Sequence, residues 1–262
     1  MNVVAKVLVD SFRLLKKEPK LFLPKLLIAF LYGLGMLFTA ALFKELLPAL
    51  NPYSSSISPS LLNAILLQSV LLLAFLFLVM ILDVLFNASY SAMLEDFFKK
   101  RSPSILNAFK TALSKFFVIV PAAILSLLVF LLLSLPFVFL ASLALLENNF
   151  NLFFLTAFIV LALNLLVTIA FYSLYPVSIF ERRNFFGVLK SSAFISKRKF
   201  SEVFQLSLFS LFISAFGILF AFLAQRIEFL LLFVAFRLLT AILATYQIVL
   251  NPVFYLEVVK GK

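Results

Sequence analysis

Long apolar runs alternate along this chain with shorter segments in which apolar and charged residues share one predicted helix. Each run holds roughly the 20 residues that a helix needs to cross the apolar core of a bilayer. Prolines within the runs predict kinks or helix starts at Pro121, Pro136, Pro176 and Pro252. The pattern predicts an all-α fold, a polytopic membrane helix bundle with six transmembrane helices: Lys25–Phe43, Leu61–Ala92, Phe116–Leu146, Leu152–Phe180, Val203–Ala224 and Phe229–Leu256.

The segment before the first run has the pattern of an amphipathic helix. Its apolar residues recur every three or four positions, at Val4, Val7, Leu8, Phe12 and Leu15, whereas Lys6, Asp10, Arg13 and Lys17 fall on the opposite face. A similar segment covers residues 105–116, and a weaker one surrounds Phe186, Leu189 and Ala193. We expect each segment to lie flat on the membrane, with its apolar face among the acyl chains and its basic face towards anionic head groups.

A short signature recurs at the end of every second run. It reads Ser-Tyr-Ser-Ala-Met-Leu-Glu at 89–95, Tyr-Pro-Val-Ser-Ile-Phe-Glu at 175–181 and Asn-Pro-Val-Phe-Tyr-Leu-Glu at 251–257. The recurrence predicts one membrane domain, residues 1–262, built from three repeats at about 1–95, 101–181 and 184–257. Each repeat would contain an interfacial helix followed by a hairpin of two spans.

Composition and charge agree with a membrane location. Hydrophobic residues make up 65% of the chain, and the mean hydropathy is +1.18, whereas soluble domains are about 45–50% apolar. Of the 22 basic residues, 19 fall on one side of the predicted membrane. Because such residues concentrate in cytoplasmic loops, we expect a multi-pass protein of the cell membrane with both termini in the cytoplasm. No soluble basic domain is present to bind nucleic acid.

The chain lacks the residues and motifs on which several classes of catalysis and metal binding depend. The chain has no cysteine and no histidine, which removes thiolate ligands and the commonest metal ligand and general base. It contains no phosphate-binding loop, no dinucleotide fingerprint, no serine-hydrolase elbow and no metalloprotease helix. We therefore expect a protein that is not an enzyme and that uses neither a cofactor nor a metal.

Polar residues inside the predicted spans form one candidate intramembrane site. Asp83 is the carboxylate placed well inside a span, and an acid in that position is by default a functional candidate. At a comparable depth lie Asn87, Asn164, Thr168, Tyr172, Thr245 and Gln247. These residues could line a polar cavity, or they could hydrogen-bond between helices and fix their packing, with Asp83 paired to a Thr, Tyr or Asn. Arg237 is expected to lie nearer the outer face and to extend outwards.

Charged residues at the membrane surface form two further groups. The basic collar is the set of cations on the three amphipathic segments: Lys6, Arg13, Lys17, Lys110, Lys115, Lys197, Arg198 and Lys199. The repeat-end acids are Glu95, Glu181 and Glu257. They lie close to Arg101, Arg182, Arg183 and Lys260 in the sequence, and we expect them to pair with the basic collar. The alternative is a threefold acidic ring that binds a cation.

The order of basic helix, proline-started span and return span resembles that of a known group of proteins. Phe12 stands twelve residues before Pro24, Phe109 stands twelve before Pro121, and Pro176 and Pro252 each precede the final Glu by five. In this the chain resembles uncharacterised six-span bacterial and archaeal membrane proteins, which are related to the membrane domain of some glycerophosphodiester phosphodiesterases. The resemblance implies a membrane domain with a regulatory or lipid-related role. It implies no hydrolysis, because the catalytic domain is missing.

Two functions follow as alternatives. The first is a non-enzymatic accessory or envelope-organising protein, whose basic collar binds anionic membrane lipids or a membrane protein partner. The second is a transporter of small solutes, or a lipid-translocating protein, that uses the polar site around Asp83.

Overall fold

Ten α-helices form the part of the chain that the computed structural model describes, residues 2–49, 59–226 and 230–261. All regular structure within these residues is helical. The helices are α1 (Val3–Lys17), α2 (Leu23–Ala49), α3 (Pro59–Phe98), α4 (Ile105–Ser114), α5 (Phe116–Leu146), α6 (Phe150–Ala170), α7 (Leu174–Phe180), α8 (Phe185–Arg198), α9 (Phe200–Arg226) and α10 (Leu230–Phe254). A 3₁₀ turn, Pro19–Phe22, precedes α2, and a π-helical turn, Tyr255–Val259, follows α10.

Six stretches of the described helices are long and apolar enough to cross a membrane. They confirm the six predicted spans, although α2 starts two residues before the predicted Lys25 and α3 continues to Phe98, beyond the predicted Ala92. The predicted start of the sixth span, Phe229, lies outside the described residues. Leucine and phenylalanine side chains along the spans are exposed at the surface of the protein, which is the surface that membrane helices present to lipid.

The fourth span consists of two helices, because α6 ends at Ala170 and α7 begins at Leu174. Pro176 explains the break: proline has no N–H to donate to the carbonyl four residues earlier, and its ring clashes with that carbonyl. The chain turns instead through residues 171–173, where the Leu174 N–H donates to the Phe171 carbonyl at 3.0 Å. The kink predicted at Pro176 is therefore present as a complete interruption.

Three short amphipathic helices, α1, α4 and α8, lie at one end of the bundle. A side chain caps the start of each: Asn2 for α1, Ser104 for α4 and Asn184 for α8. Each packs against long helices, α1 against α9 and α10, α4 against α3, and α8 against α5 and α6. Helices α4 and α8 therefore contact long helices that precede them in the chain, whereas α1 contacts the last two long helices, α9 and α10.

The prediction that the apolar faces of these helices enter the lipid is wrong for those of their residues that are buried within the protein. On α1, Val4, Val7 and Leu15 are buried within the protein, whereas Phe12 is 63% exposed. On α8, Leu189 is buried while Phe186 is exposed. The reason is physical, because the periodicity that suits a membrane interface suits a groove between apolar helices equally well.

The three signature segments meet in the hydrophobic core, next to the short helices. Most of their buried apolar residues belong to one cluster: Tyr90, Met93, Leu94, Val177, Val253, Phe254, Tyr255 and Leu256. The two ends of the chain also lie together, since Lys6 Nζ is 3.3 Å from a carboxylate oxygen of Glu257. The signature segments, which the sequence places at the ends of spans, therefore pack together at this end of the bundle.

Candidate intramembrane site

An ion pair joins the first two spans. Lys25 Nζ on α2 lies 2.6 Å from Asp83 Oδ1 on α3, and the side chains of Lys25 and Asp83 are only 10% and 24% exposed. The prediction that Asp83 pairs with a Thr, Tyr or Asn is wrong, because a cation lies within reach and satisfies the carboxylate more strongly than a neutral donor. Lys25 is the first residue of the first predicted span, and apolar residues flank Pro24 and Lys25 on both sides.

A cavity of about 460 Å³ adjoins this pair, inside the helix bundle. Lys25 is part of its wall, and α3, α5, α6, α7, α9, α10 and the turn between α6 and α7 supply the remainder. Ser210, on α9, lies ten residues from the start of that helix, or about 15 Å at 1.5 Å per residue. The cavity therefore extends from beside the core to about the middle of the spans.

Five of the seven residues predicted for the site line this cavity: Asn87, Asn164, Thr168, Tyr172 and Gln247. Asp83 borders it through Lys25. Thr245 is buried and donates to the Ala241 carbonyl of its own helix at 2.7 Å, outside the cavity wall. Five further polar residues of the wall were not among the predicted site residues: Lys25, Ser126, Tyr175, Ser210 and Asn251.

Three buried polar atoms in the cavity wall have no hydrogen-bond partner among the described residues. They are Asn87 Oδ1 on α3, the Tyr172 hydroxyl in the α6–α7 turn and Asn251 Oδ1 on α10. More than nine in ten buried polar groups in proteins are paired, and unpaired groups beside a cavity are usually satisfied by water or by a ligand. By contrast, Gln247 Oε1 accepts a hydrogen bond from the Ser214 hydroxyl at 3.1 Å.

Tyr172 connects the cavity to the core. Its ring packs edge-on against Phe254, with 5.6 Å between the ring centroids, and Phe254 is fully buried in the core. Two residues of the cavity wall, Leu127 and Asn164, are exposed at the other edge. The cavity is therefore closed by packed aromatic side chains next to the core and has its accessible edge near the middle of the spans.

Arg237 lies away from this cavity. Its guanidinium contacts the Met36 sulfur on α2, and its Cζ lies 5.4 Å from the centroid of the Phe233 ring. The guanidinium thus packs against α2 and against a ring of its own helix, whose aromatic face attracts a cation, and its extension towards the outer face stays a prediction.

The repeat-end acids pair with cations, as predicted, but partly with other cations than those expected. The pairs are Glu95 with Lys99 at 3.0 Å, Glu181 with Arg183 at 2.5 Å and Glu257 with Lys6 at 3.3 Å. Of these cations, Lys6 belongs to the basic collar, whereas Lys99 and Arg183 do not and lie four and two residues from their partners in the chain. The described residues contain no cluster of three acids that could hold a metal, so the acidic ring is not formed by them.

Glu181 is held by three partners. Besides Arg183, it accepts hydrogen bonds from the Ser191 hydroxyl at 3.0 Å and from the Tyr255 hydroxyl at 2.9 Å. Burial alone would raise the pKa of this carboxyl, but the hydrogen bonds from Tyr255, Arg183 and Ser191 outweigh burial and lower the pKa below its ordinary value. The cluster ties the end of α7 to α8 and to the final turn.

The basic collar divides into exposed and inward-facing cations. Six of its members are exposed: Lys6, Arg13, Lys17, Lys110, Lys197 and Arg198. Lys199 is half-buried and lies 3.8 Å from Glu202. Lys115 turns inward, where its ammonium donates to the Ser178 and Ile179 carbonyls at 2.9 and 2.6 Å. These carbonyls lie in the last turn of α7, where no following N–H is available.

The pKa of Lys115 reflects this position. Burial, and secondarily the nearby Arg182 cation, lower the pKa of the Lys115 ammonium below its ordinary value. Lys115 is therefore a structural cation that holds the end of α7, and it does not contribute to a lipid-facing surface.

Comparison with protein-family models, with curated proteins and with solved structures found no match to this chain. The resemblance to the membrane domain of glycerophosphodiester phosphodiesterases therefore stays a prediction.

Proposed function

We propose that this chain is a non-enzymatic membrane protein that binds a small polar solute in the cavity beside Lys25 and carries it through the bundle. The observation that supports the proposal most strongly is the set of three unpaired polar atoms in the cavity wall, on Asn87, Tyr172 and Asn251. Unpaired buried atoms also occur outside the cavity wall, but these three belong to residues that line one cavity, where a bound polar molecule would satisfy them. The cavity, at about 460 Å³, also falls within the range of about 300–1,000 Å³ that ligand sites occupy.

The broken fourth span supports the same proposal. Discontinuous membrane helices commonly form substrate sites in transporters, because the interruption exposes backbone groups where the helix lines a cavity. Here the turn at 171–173 separates α6 from α7, and Phe171, Tyr172 and Tyr175 beside it all line the cavity. Binding and helix interruption thus coincide in space.

We place the end of the bundle that carries the short helices on the cytoplasmic side of a cell membrane, because most basic residues lie at that end. Both termini would then be cytoplasmic. The three successive groups, each of a short helix and two spans, support a threefold repeat, and the packing of α1 against α10 would close these groups into a ring.

A cavity-filling variant tests the proposal. Ala123 lines the cavity on α5, so Ala123→Leu should fill part of it. Ala141, on the same helix but outside the cavity wall, provides the matched control Ala141→Leu. Each protein would be purified gently, and the small molecules it releases would be identified by mass spectrometry. We expect the wild type and the control to retain the same polar solute and Ala123→Leu to lose it. Equal retention by all three proteins, or retention by none, would contradict the proposal.

A second candidate function is supported by the exposed basic residues. Lys110, Lys197 and Arg198 project from two different short helices at one end of the bundle, and cations near a membrane surface attract anionic lipid at roughly 1 kcal/mol each. In this role the protein would be an accessory or envelope-organising subunit that holds anionic lipid or a membrane protein partner.

Native mass spectrometry distinguishes this candidate from the first. We expect the wild type to retain anionic phospholipid in preference to phosphatidylcholine, and a variant with glutamine at positions 110, 197 and 198 to lose that preference. A protein that retains both lipids equally would exclude lipid binding by these cations. A stoichiometric protein partner in the same spectra would support the accessory role.

A further inference from the structure

The electrostatics of the cavity wall restrict the class of solute that it accommodates. Among the lining residues that the structure describes, Lys25 carries the one permanent charge, and no carboxylate belongs to the wall. That single charge is balanced directly, because Lys25 Nζ bonds to Asp83 Oδ1 at 2.6 Å. The wall and its bonded neighbour therefore have a net charge of zero.

We propose that the solute is a small molecule without net charge that carries several hydroxyl or amide groups. This inference rests on the proposed function and specifies its substrate class. An anion would have to compete with Asp83 for Lys25, and a cation would meet an acid that is already occupied. In either case a charge would be left uncompensated inside the membrane, which is strongly unfavourable.

The positions of the unpaired atoms indicate that the solute has more than one polar group. Asn87 is on α3, Tyr172 follows α6 and Asn251 is on α10, so the three atoms come from three different spans. A molecule with a single polar group cannot satisfy partners on three sides. The wall also contains Phe130, Phe171 and the ring of Tyr175, which offer apolar faces to the C–H groups of a polyol or a similar solute.

Uptake into liposomes tests this inference with three probes of similar size. Erythritol is neutral, threonate is an anion with a similar carbon skeleton, and choline is a compact cation. Purified protein would be reconstituted at pH 7.4, and protein-free liposomes would supply the background rate. For the wild type, we expect the rate above background to be at least about tenfold higher for erythritol than for either charged probe, a ratio equivalent to about 1.4 kcal/mol.

Two variants test whether charge balance causes the preference. Asp83→Asn leaves Lys25 without its counter-ion, so its threonate uptake should rise about tenfold over that of the wild type. The double variant K25M/D83N lacks both charges and should keep the preference for erythritol. The double variant also remains informative if Asp83→Asn alone fails to fold, because it contains no unpaired charge.

The outcomes separate this inference from the function on which it rests. Faster uptake of threonate or choline than of erythritol by the wild type would overturn the neutral class and leave the cavity as a solute site. Threonate uptake equal to that of erythritol in the double variant would also overturn it. No uptake of any probe by any of the proteins would overturn the proposed transport together with the inference.

Discussion

Replacing Lys25 with methionine tests how strongly the Lys25–Asp83 pair stabilises the bundle. Methionine keeps the length of the side chain and removes the ammonium, so that the Asp83 carboxylate loses its partner at 2.6 Å. Removing one partner of a buried pair costs about 3–5 kcal/mol. Because the Asp83 side chain is 24% exposed, water can stabilise part of its charge. We therefore expect the free energy of unfolding to fall by about 2–3 kcal/mol, at or below the lower limit of that range.

A double-mutant cycle isolates the interaction. Asp83→Asn should destabilise the protein by a similar amount, because it leaves the ammonium of Lys25 buried without a counter-ion. The double variant K25M/D83N has no unpaired charge and should recover more than about 1.5 kcal/mol relative to the sum of the two single losses. The free energy of unfolding would be measured by circular dichroism in mixed micelles with increasing denaturing detergent.

An exposed ion pair provides the control. Arg13 lies 3.6 Å from Asp10 on the same helix, and its side chain is 76% exposed. Arg13→Gln should change stability by less than about 1 kcal/mol, as exposed pairs usually do. A coupling energy below about 0.5 kcal/mol between Lys25 and Asp83 would refute the reasoning, since the buried pair would then contribute no more than the exposed pair.

Three further predictions concern the end of the bundle that carries the short helices. Tyr90→Phe removes a buried hydroxyl that donates to the Leu21 carbonyl at 2.6 Å, and we expect a loss of about 1–3 kcal/mol in the unfolding free energy. Lys115→Met leaves two carbonyls of α7 unpaired and should cost about 1–3 kcal/mol, whereas the exposed control Lys110→Met should stay within about 0.5 kcal/mol; equal effects would contradict the inward role of Lys115. Glu181→Gln should destabilise the protein at pH 7, because the lowered pKa of Glu181 means that folding favours its charged form. That contribution is present above the ordinary value of 4.5 and is lost as the pH falls through the lower folded value, so melting curves of variant and wild type that differ equally at pH 7 and at pH 3 would refute it.

The spans could be predicted from sequence because a membrane helix needs a long apolar run and little else. A kink was predicted at Pro176, where the fourth span is interrupted, but the same local effect of proline leaves α5 continuous at Pro121 and Pro136 and α10 continuous at Pro252. The partner of Asp83 could not be predicted, because Lys25 is 58 residues away in the chain and only the packing of α2 against α3 brings the two together. The environment of the α1 apolar face was missed for a related reason, since periodicity identifies a buried face but not what covers it.

The candidate site was predictable where a polar residue interrupts an apolar run. Asn164 and Thr168 stand out in that way and do line the cavity. Ser126 does not stand out, because serine hydroxyls in membrane helices often bond to their own helix. The Ser126 hydroxyl indeed donates to the Ala123 carbonyl at 2.8 Å. Tyr175 and Asn251 were missed because they belong to the recurring signature, which sequence analysis assigned to the ends of spans.

Tyr175 and Asn251 show how the repeated signature relates to the cavity. Tyr175 and Asn251 occupy the same position of the signature in the second and third segments, and both line the cavity, whereas Val177 and Val253 two residues later are fully buried in the core. Each of these segments therefore contributes one polar side chain to the cavity and the next turn to the core. The turn at 171–173 separates α7, which carries one of them, from α6, so the fourth span changes from cavity wall to core at the same place where its helix is interrupted.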